Sequence, residues 1–143
     1  MKIEGSWVYA APPERVWQRL LDSEALRSCI PGCKSLEATG EERWDATLSV
    51  GVGPIRGIYT GKVAIVQKNE PLSYTLELEG KGAPGFVKGT AQVTLTPVPE
   101  GTRVDVNADG QVGGTVAAVG QRMLSGVARQ LMGQFFDCLK GGL

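Results

Sequence analysis

Between residues 34 and 110 apolar and polar side chains alternate with a period of two, and turn-forming residues interrupt that alternation at intervals. Successive side chains of an extended strand point to opposite faces, so each such run can bury one face and wet the other. The interruptions fall at Gly40-Glu41-Glu42, Gly53-Pro54, Asn69-Glu70-Pro71, residues 82–85 and residues 97–101. No helical stretch separates the runs, which excludes parallel crossovers and predicts five or six consecutive antiparallel strands. Upstream, residues 2–10 read as one more strand, ended by Ala11-Pro12-Pro13. Pro12-Pro13-Glu14 then opens a short helix on Val16, Trp17, Leu20 and Leu21, and a second short helix over residues 23–29 is stopped by Ile30-Pro31-Gly32. Residues 112–140 lack proline and repeat apolar residues from Val116 to Leu139 at helical spacing, which predicts one long C-terminal helix. At 143 residues this is a single domain, 1–143, of the α+β class, with a curved antiparallel sheet around a long helix.

Strand parity assigns an inward face. It carries Trp7 and Tyr9, then Trp44, Ala46, Leu48, Val50 and Val52, then Gly57, Tyr59, Gly61, Val63 and Ile65. Tyr74, Leu76, Leu78 and Gly80 follow, with Gly89, Ala91, Val93, Leu95, Val104, Val106, Ala108 and Gly110 completing it. Each row tends to be bulky at one end and glycine or alanine at the other. The chain holds 20 glycines in 143 residues, about twice the usual share of roughly 7%. Small residues facing small residues leave space that a close-packed interior would fill, so this thinning predicts an apolar pocket against the first part of the long helix. Its expected lining is Trp7, Tyr9, Trp44, Tyr59, Gly61, Phe86, Gly89, Ala118, Val119 and Met123. The competing reading makes each glycine a bulge or bend of a curved sheet, and each aromatic ordinary core.

Composition narrows the chemistry. Fifteen basic residues balance fifteen acidic ones without a like-charge block, so nothing invites nucleic acid. Histidine is absent, which removes the usual acid/base group near neutral pH and the commonest metal ligand. Cys29, Cys33 and Cys138 are too few for a metal site without histidine and too irregular for a redox pair, and read as free thiols. The expectation is a cytoplasmic, non-catalytic chain with no cofactor and no metal. Only the Tyr9, Tyr59 and Tyr74 hydroxyls point inward to support an enzyme.

Pro12-Pro13-Glu14-Arg15-Val16-Trp17 after an N-terminal strand resembles the opening of the SRPBCC or START-like superfamily. Cys29-Ile30-Pro31-Gly32-Cys33, Val52-Gly53-Pro54-Ile55-Arg56-Gly57, Gly85-Phe86-Val87-Lys88-Gly89, Val112-Gly113-Gly114 and Val119-Gly120-Gln121-Arg122 are similar to the CoxG family of carbon monoxide dehydrogenase subunits. That resemblance implies a helix-grip fold, with seven antiparallel strands wrapped around the C-terminal helix and two short helices after the first strand. It also implies an accessory role beside a molybdenum-containing hydroxylase, handling a lipid or quinone and touching the inner face of the cell membrane. In such an arrangement Cys29, Ile30, Pro31 and Gly32 approach Phe86 and form the mouth of the cavity. A polyketide cyclase or hydrolase-like enzyme and a purely protein-binding assembly factor stay open as alternatives on the same scaffold.

Overall fold

The computed structural model describes residues 1–51 and 55–143. The chain runs β1 (Lys2–Tyr9), α1 (Pro13–Leu21), α2 (Ser23–Cys29), β2 (Cys33–Gly40), β3 (Arg43–Val50), β4 (Gly57–Asn69), β5 (Ser73–Gly82), β6 (Gly85–Val98), β7 (Gly101–Gly113) and α3 (Gln121–Leu139). Among the described residues the strands form one seven-stranded sheet in the order β1-β7-β6-β5-β4-β3-β2, every pairing antiparallel. The helices cover its inner face, giving the expected α+β helix-grip arrangement. Val52, Gly53 and Pro54, which the sequence assigns to an inward strand position and a turn, lie outside the described residues.

Local chemistry sets the helix ends. Pro13 occupies the first turn of α1, where its missing N–H costs no bond, and Val16, Trp17 and Leu20 bury its inner stripe. Asp22 caps α2 by accepting from the Glu24 N–H at 3.1 Å. At the far end of the chain the expected continuous helix is corrected. Val112 and Gly113 belong to β7, Thr115–Val119 forms a 3₁₀ turn, and α3 begins only at Gln121. Gly114 (φ 85°) and Gly120 (φ 91°) flank the turn in the left-handed region, which a right-handed helix cannot pass through.

The C-terminal half of α3 is fastened to the start of the chain. Phe136 stacks on Trp7 with centroids 4.2 Å apart, and the buried Tyr9 hydroxyl donates to the Phe136 carbonyl at 2.7 Å. Leu139 is almost fully buried, and Arg19 Nε donates to its carbonyl at 3.3 Å. A disulfide joins Cys29, the last residue of α2, to Cys138 in the last turn of α3, with Cα atoms 5.4 Å apart. This corrects the reading of three free thiols: cysteines 109 residues apart in sequence are made neighbours by the docking of α3 on α2. Cys33 keeps a free thiol.

The glycines divide into two kinds. A Cβ at Gly61 would be driven into the carbonyl oxygen of Glu79 on the neighbouring strand, so this glycine exists to let two strand backbones approach. A Cβ at Gly80, its register partner, meets nothing nearer than the Thr60 carbonyl oxygen at 3.7 Å. Gly61→Ala should therefore cost about 1–3 kcal/mol of stability as overpacking, whereas Gly80→Ala should change it by less than about 1 kcal/mol. Urea unfolding of the two variants checks this contrast. Tyr9→Phe, which leaves the buried Phe136 carbonyl without its donor, should cost about 1–3 kcal/mol in the same assay.

Candidate functional site

Burial along the inner face of the sheet falls off in one direction. On β5 Tyr74 is buried, Leu76 half-buried, and Leu78 is 37% exposed. On β6 Leu95, Val93 and Ala91 are buried, but Gly89 and Val87 only half so. β7 repeats the gradient from Val104 and Val106 to Ala108, Gly110 and Val112, β4 from Ile65 to Val63, Gly61 and Tyr59, and β3 from Trp44 and Ala46 to Leu48 and Val50. The registers Ile65–Leu76–Ala91–Ala108 and Val63–Leu78–Gly89–Gly110 place the step on the same line across four strands. The core is thus complete at one end and becomes an apolar slope at the other. Pairing fixes the backbone there, while the covering side chains thin out to glycine and alanine.

Hydrogen bonds tie the rim of that open end together. The Ile30–Gly32 turn lies on β3, where Ser49 N–H donates to the Gly32 carbonyl at 2.8 Å. The Ala83-Pro84 turn between β5 and β6 is held to the 3₁₀ turn, because the Pro84 carbonyl accepts from Val116 N–H and from the Thr115 hydroxyl, both at 2.8 Å. Ile58 pairs with Ser49, and Pro84 sits against neighbouring Gly57, so both turns flank the first residues of β4. Ile58 is 51% and Phe86 49% exposed. Arg56, Lys81, Lys88 and Arg122 are exposed on the elements that form the rim.

The expected site residues scatter over three environments. Trp7, Tyr9 and Trp44 are inside but occupied: Trp7 by Phe136, Tyr9 by its bond to α3, and Trp44 by an indole N–H that donates to Ser23 Oγ at 3.1 Å. Tyr59, Gly61 and Gly89 lie on the slope, and the Tyr59 hydroxyl donates to the Ile55 carbonyl at 2.9 Å. Phe86 is corrected: it shares outer-face parity with Lys88 and covers Gly113 from outside, so it belongs to the rim and not to the lining. Exposed Ala118 and half-buried Val119 belong to the 3₁₀ turn, and Met123 is 48% exposed in the first turn of α3. At the expected mouth, Ile30, Pro31 and Gly32 are on the rim, whereas Cys29 is buried in the disulfide. Strand parity puts Leu48, Val63, Leu76, Leu78 and Val87 or their strands on the inward side without marking them as lining; for Leu76, Leu78 and Val87 the signal that could have found them is their position opposite Ala91, Gly89 and Gly80.

Two open grooves, of about 550 and 720 Å³, lie on the outer face instead, lined by residues of both signs such as Lys62, Glu79 and Lys88. Burial pushes the hydroxyls of Tyr9, Tyr59 and Tyr74 up from their ordinary range, which keeps them neutral and poor proton acceptors. Among the described residues no cluster of histidine, cysteine and carboxylate side chains is placed to hold a metal. No helix among them is long and apolar enough to cross a membrane.

Comparison with solved structures supports the fold. A conserved protein from Geobacillus kaustophilus is 37% identical, with a TM-score of 0.95 over 99% of this chain and 94% of that one. A START superfamily protein from Mycobacterium smegmatis superposes with a TM-score of 0.76 at 16% identity, covering 98% of this chain and 94% of that one. A protein from Chromobacterium violaceum gives 0.73 at 18% identity, over 98% and 95%. Among curated proteins none matches. The family described as the CoxG subunit of carbon monoxide dehydrogenase matches residues 5–143. With nearly the whole chain matched and the START-like sheet and helix in place, this protein belongs to the CoxG family.

Proposed function

We propose that the chain is a non-catalytic carrier that holds an apolar molecule, a lipid or quinone, on the inner slope between the sheet and α3. The observation that carries this reading is the shared fall in burial across β3 to β7, which leaves Leu78 37% exposed on a face that is otherwise core. Apolar surface of this kind in a concave setting is stabilised by covering it, at roughly 25 cal/mol per Å². About ten buried methylenes supply a gross ~8 kcal/mol, from which the costs of association are subtracted, so only long chains or extended ring systems bind usefully. The absence of ionisable side chains among Leu48, Val63, Leu76, Leu78 and Val87 favours a neutral occupant. A filled interior would favour the assembly-factor reading, and an inward acid or base the enzyme reading.

The name of the family supports a role beside a carbon monoxide dehydrogenase-type molybdenum hydroxylase. The rim supports a brief stay at a membrane surface. Ile58 and Phe86 each contribute about 1.5–3 kcal/mol if buried in lipid, too little alone for a stable hold. Nearby basic side chains add attraction to anionic headgroups.

Titration with Nile red tests the carrier reading. The protein should bind the dye, and Leu78→Asp should weaken binding at least tenfold with a nearly unchanged thermal melt, because the charge replaces a half-exposed side chain. Undiminished binding in a folded Leu78→Asp variant contradicts the site. Ile58→Asp combined with Phe86→Asp should reduce co-sedimentation with vesicles containing phosphatidylserine while leaving dye binding in place.

A further inference from the structure

The Cys29–Cys138 bridge ties the last residue of α2 to the last turn of α3, and its two sulfurs differ in environment. Cys138 is exposed in the last turn of α3, while Cys29 is 4% exposed at the end of α2. The Arg19 guanidinium lies 4.0 Å from the Cys29 sulfur and is held in place by its bond to the Leu139 carbonyl. In thiol–disulfide exchange the attacked sulfur must be reachable, and the leaving sulfur departs faster when its thiolate is stabilised. Both requirements point the same way here. An external thiolate can reach Cys138, and the departing Cys29 thiolate is born beside a fixed cation.

We propose that this bridge is a reducible latch on α3, with Cys138 as the attacked sulfur and Cys29 as the leaving group. A dithiol reductant supplies the electrons. Its thiolate attacks Cys138 Sγ, the Cys29–Cys138 bond breaks, and a mixed disulfide forms on Cys138 as Cys29 leaves as a thiolate. The second thiol of the reductant then displaces Cys138. Two protons pass from the dithiol to the cysteines, and the reductant ends as its own disulfide. Cys33 does not substitute for it, since burial raises its thiol above the ordinary range and keeps it protonated. Once reduced, α3 keeps the Tyr9 and Phe136 contacts but loses its covalent tie to α2, so the two helices can part and uncover more of the slope. This last step rests on the carrier reading of the slope.

The test uses the full chain with Cys33→Ser. Without reductant, iodoacetamide under denaturing conditions should label neither remaining cysteine; labelling of both overturns the bridge. Brief exposure to glutathione should give a mixed disulfide that peptide mass spectrometry places on Cys138, and a modification on Cys29 overturns the assigned direction. Arg19→Gln should slow reduction by dithiothreitol several-fold and Arg19→Lys should restore most of the rate; equal rates in all three overturn the role of the cation. Reduction should also speed amide hydrogen exchange in α3 several-fold over that in β6 and β7, and unchanged α3 exchange overturns the latch. Nile red should leave the reduced protein several-fold faster than the oxidised one. If the oxidised protein binds no dye at all, the carrier reading fails, while the labelling and exchange results still decide the latch.

Discussion

The seating of Phe136 on Trp7, with the Tyr9 hydroxyl bonded to the Phe136 carbonyl, determines how the rest of the inner face is used. It pins the C-terminal half of α3 over the end of the sheet where β1 and β7 carry Tyr9 and Thr102, and where α1 adds Trp17 against Tyr74. The bulky aromatic cover is concentrated at that end. Because α3 starts only at Gln121, behind a glycine with φ 91°, the helix that reaches over the other end is shorter than the sequence predicts. A sheet of seven continuous strands therefore presents a packed half and a bare half. The bare half is the candidate site, and its shape follows from the anchor, with no special set of binding side chains required.

A single antiparallel sheet is legible in the sequence because its signal is local and repeated: period-two patterning, broken by turn residues, survives any uncertainty about packing. The same parity places Leu78, Val63 and Gly89 on the inward side without reference to any contact. Phe86 shows the cost of setting parity aside: counted back from Gly89 it falls on the outer face, where the structure has it, and only its aromatic bulk suggested the lining. Gly61 shows a second limit, since a small residue that makes room for a ligand and one that makes room for a neighbouring backbone look alike in sequence. Patterning alone cannot bring Cys29 to Cys138, because their meeting depends on where two helix ends dock.

The outer face bears on function by contrast. Its grooves are open and of mixed charge, with Lys62, Glu79 and Lys88 side by side across β4, β5 and β6, as expected of a solvated sheet face. Apolar exposure that is shared between neighbouring strands lies on the slope, with Ile58 and Phe86 adding to it at the rim. Burial keeps the Tyr9, Tyr59 and Tyr74 hydroxyls neutral, and the side chains of the slope around them are apolar. Membership of the CoxG family is consistent with setting this proposed binding surface beside a dehydrogenase.

Native mass spectrometry of freshly purified protein tests the central claim, that the inner slope takes up an apolar molecule, most directly. The account predicts a population heavier than the bare chain, whose extra mass is released by organic extraction as a lipid or quinone and is displaced by excess Nile red. A spectrum containing only the bare chain, with no adduct after incubation with long-chain lipid or quinone, would contradict it.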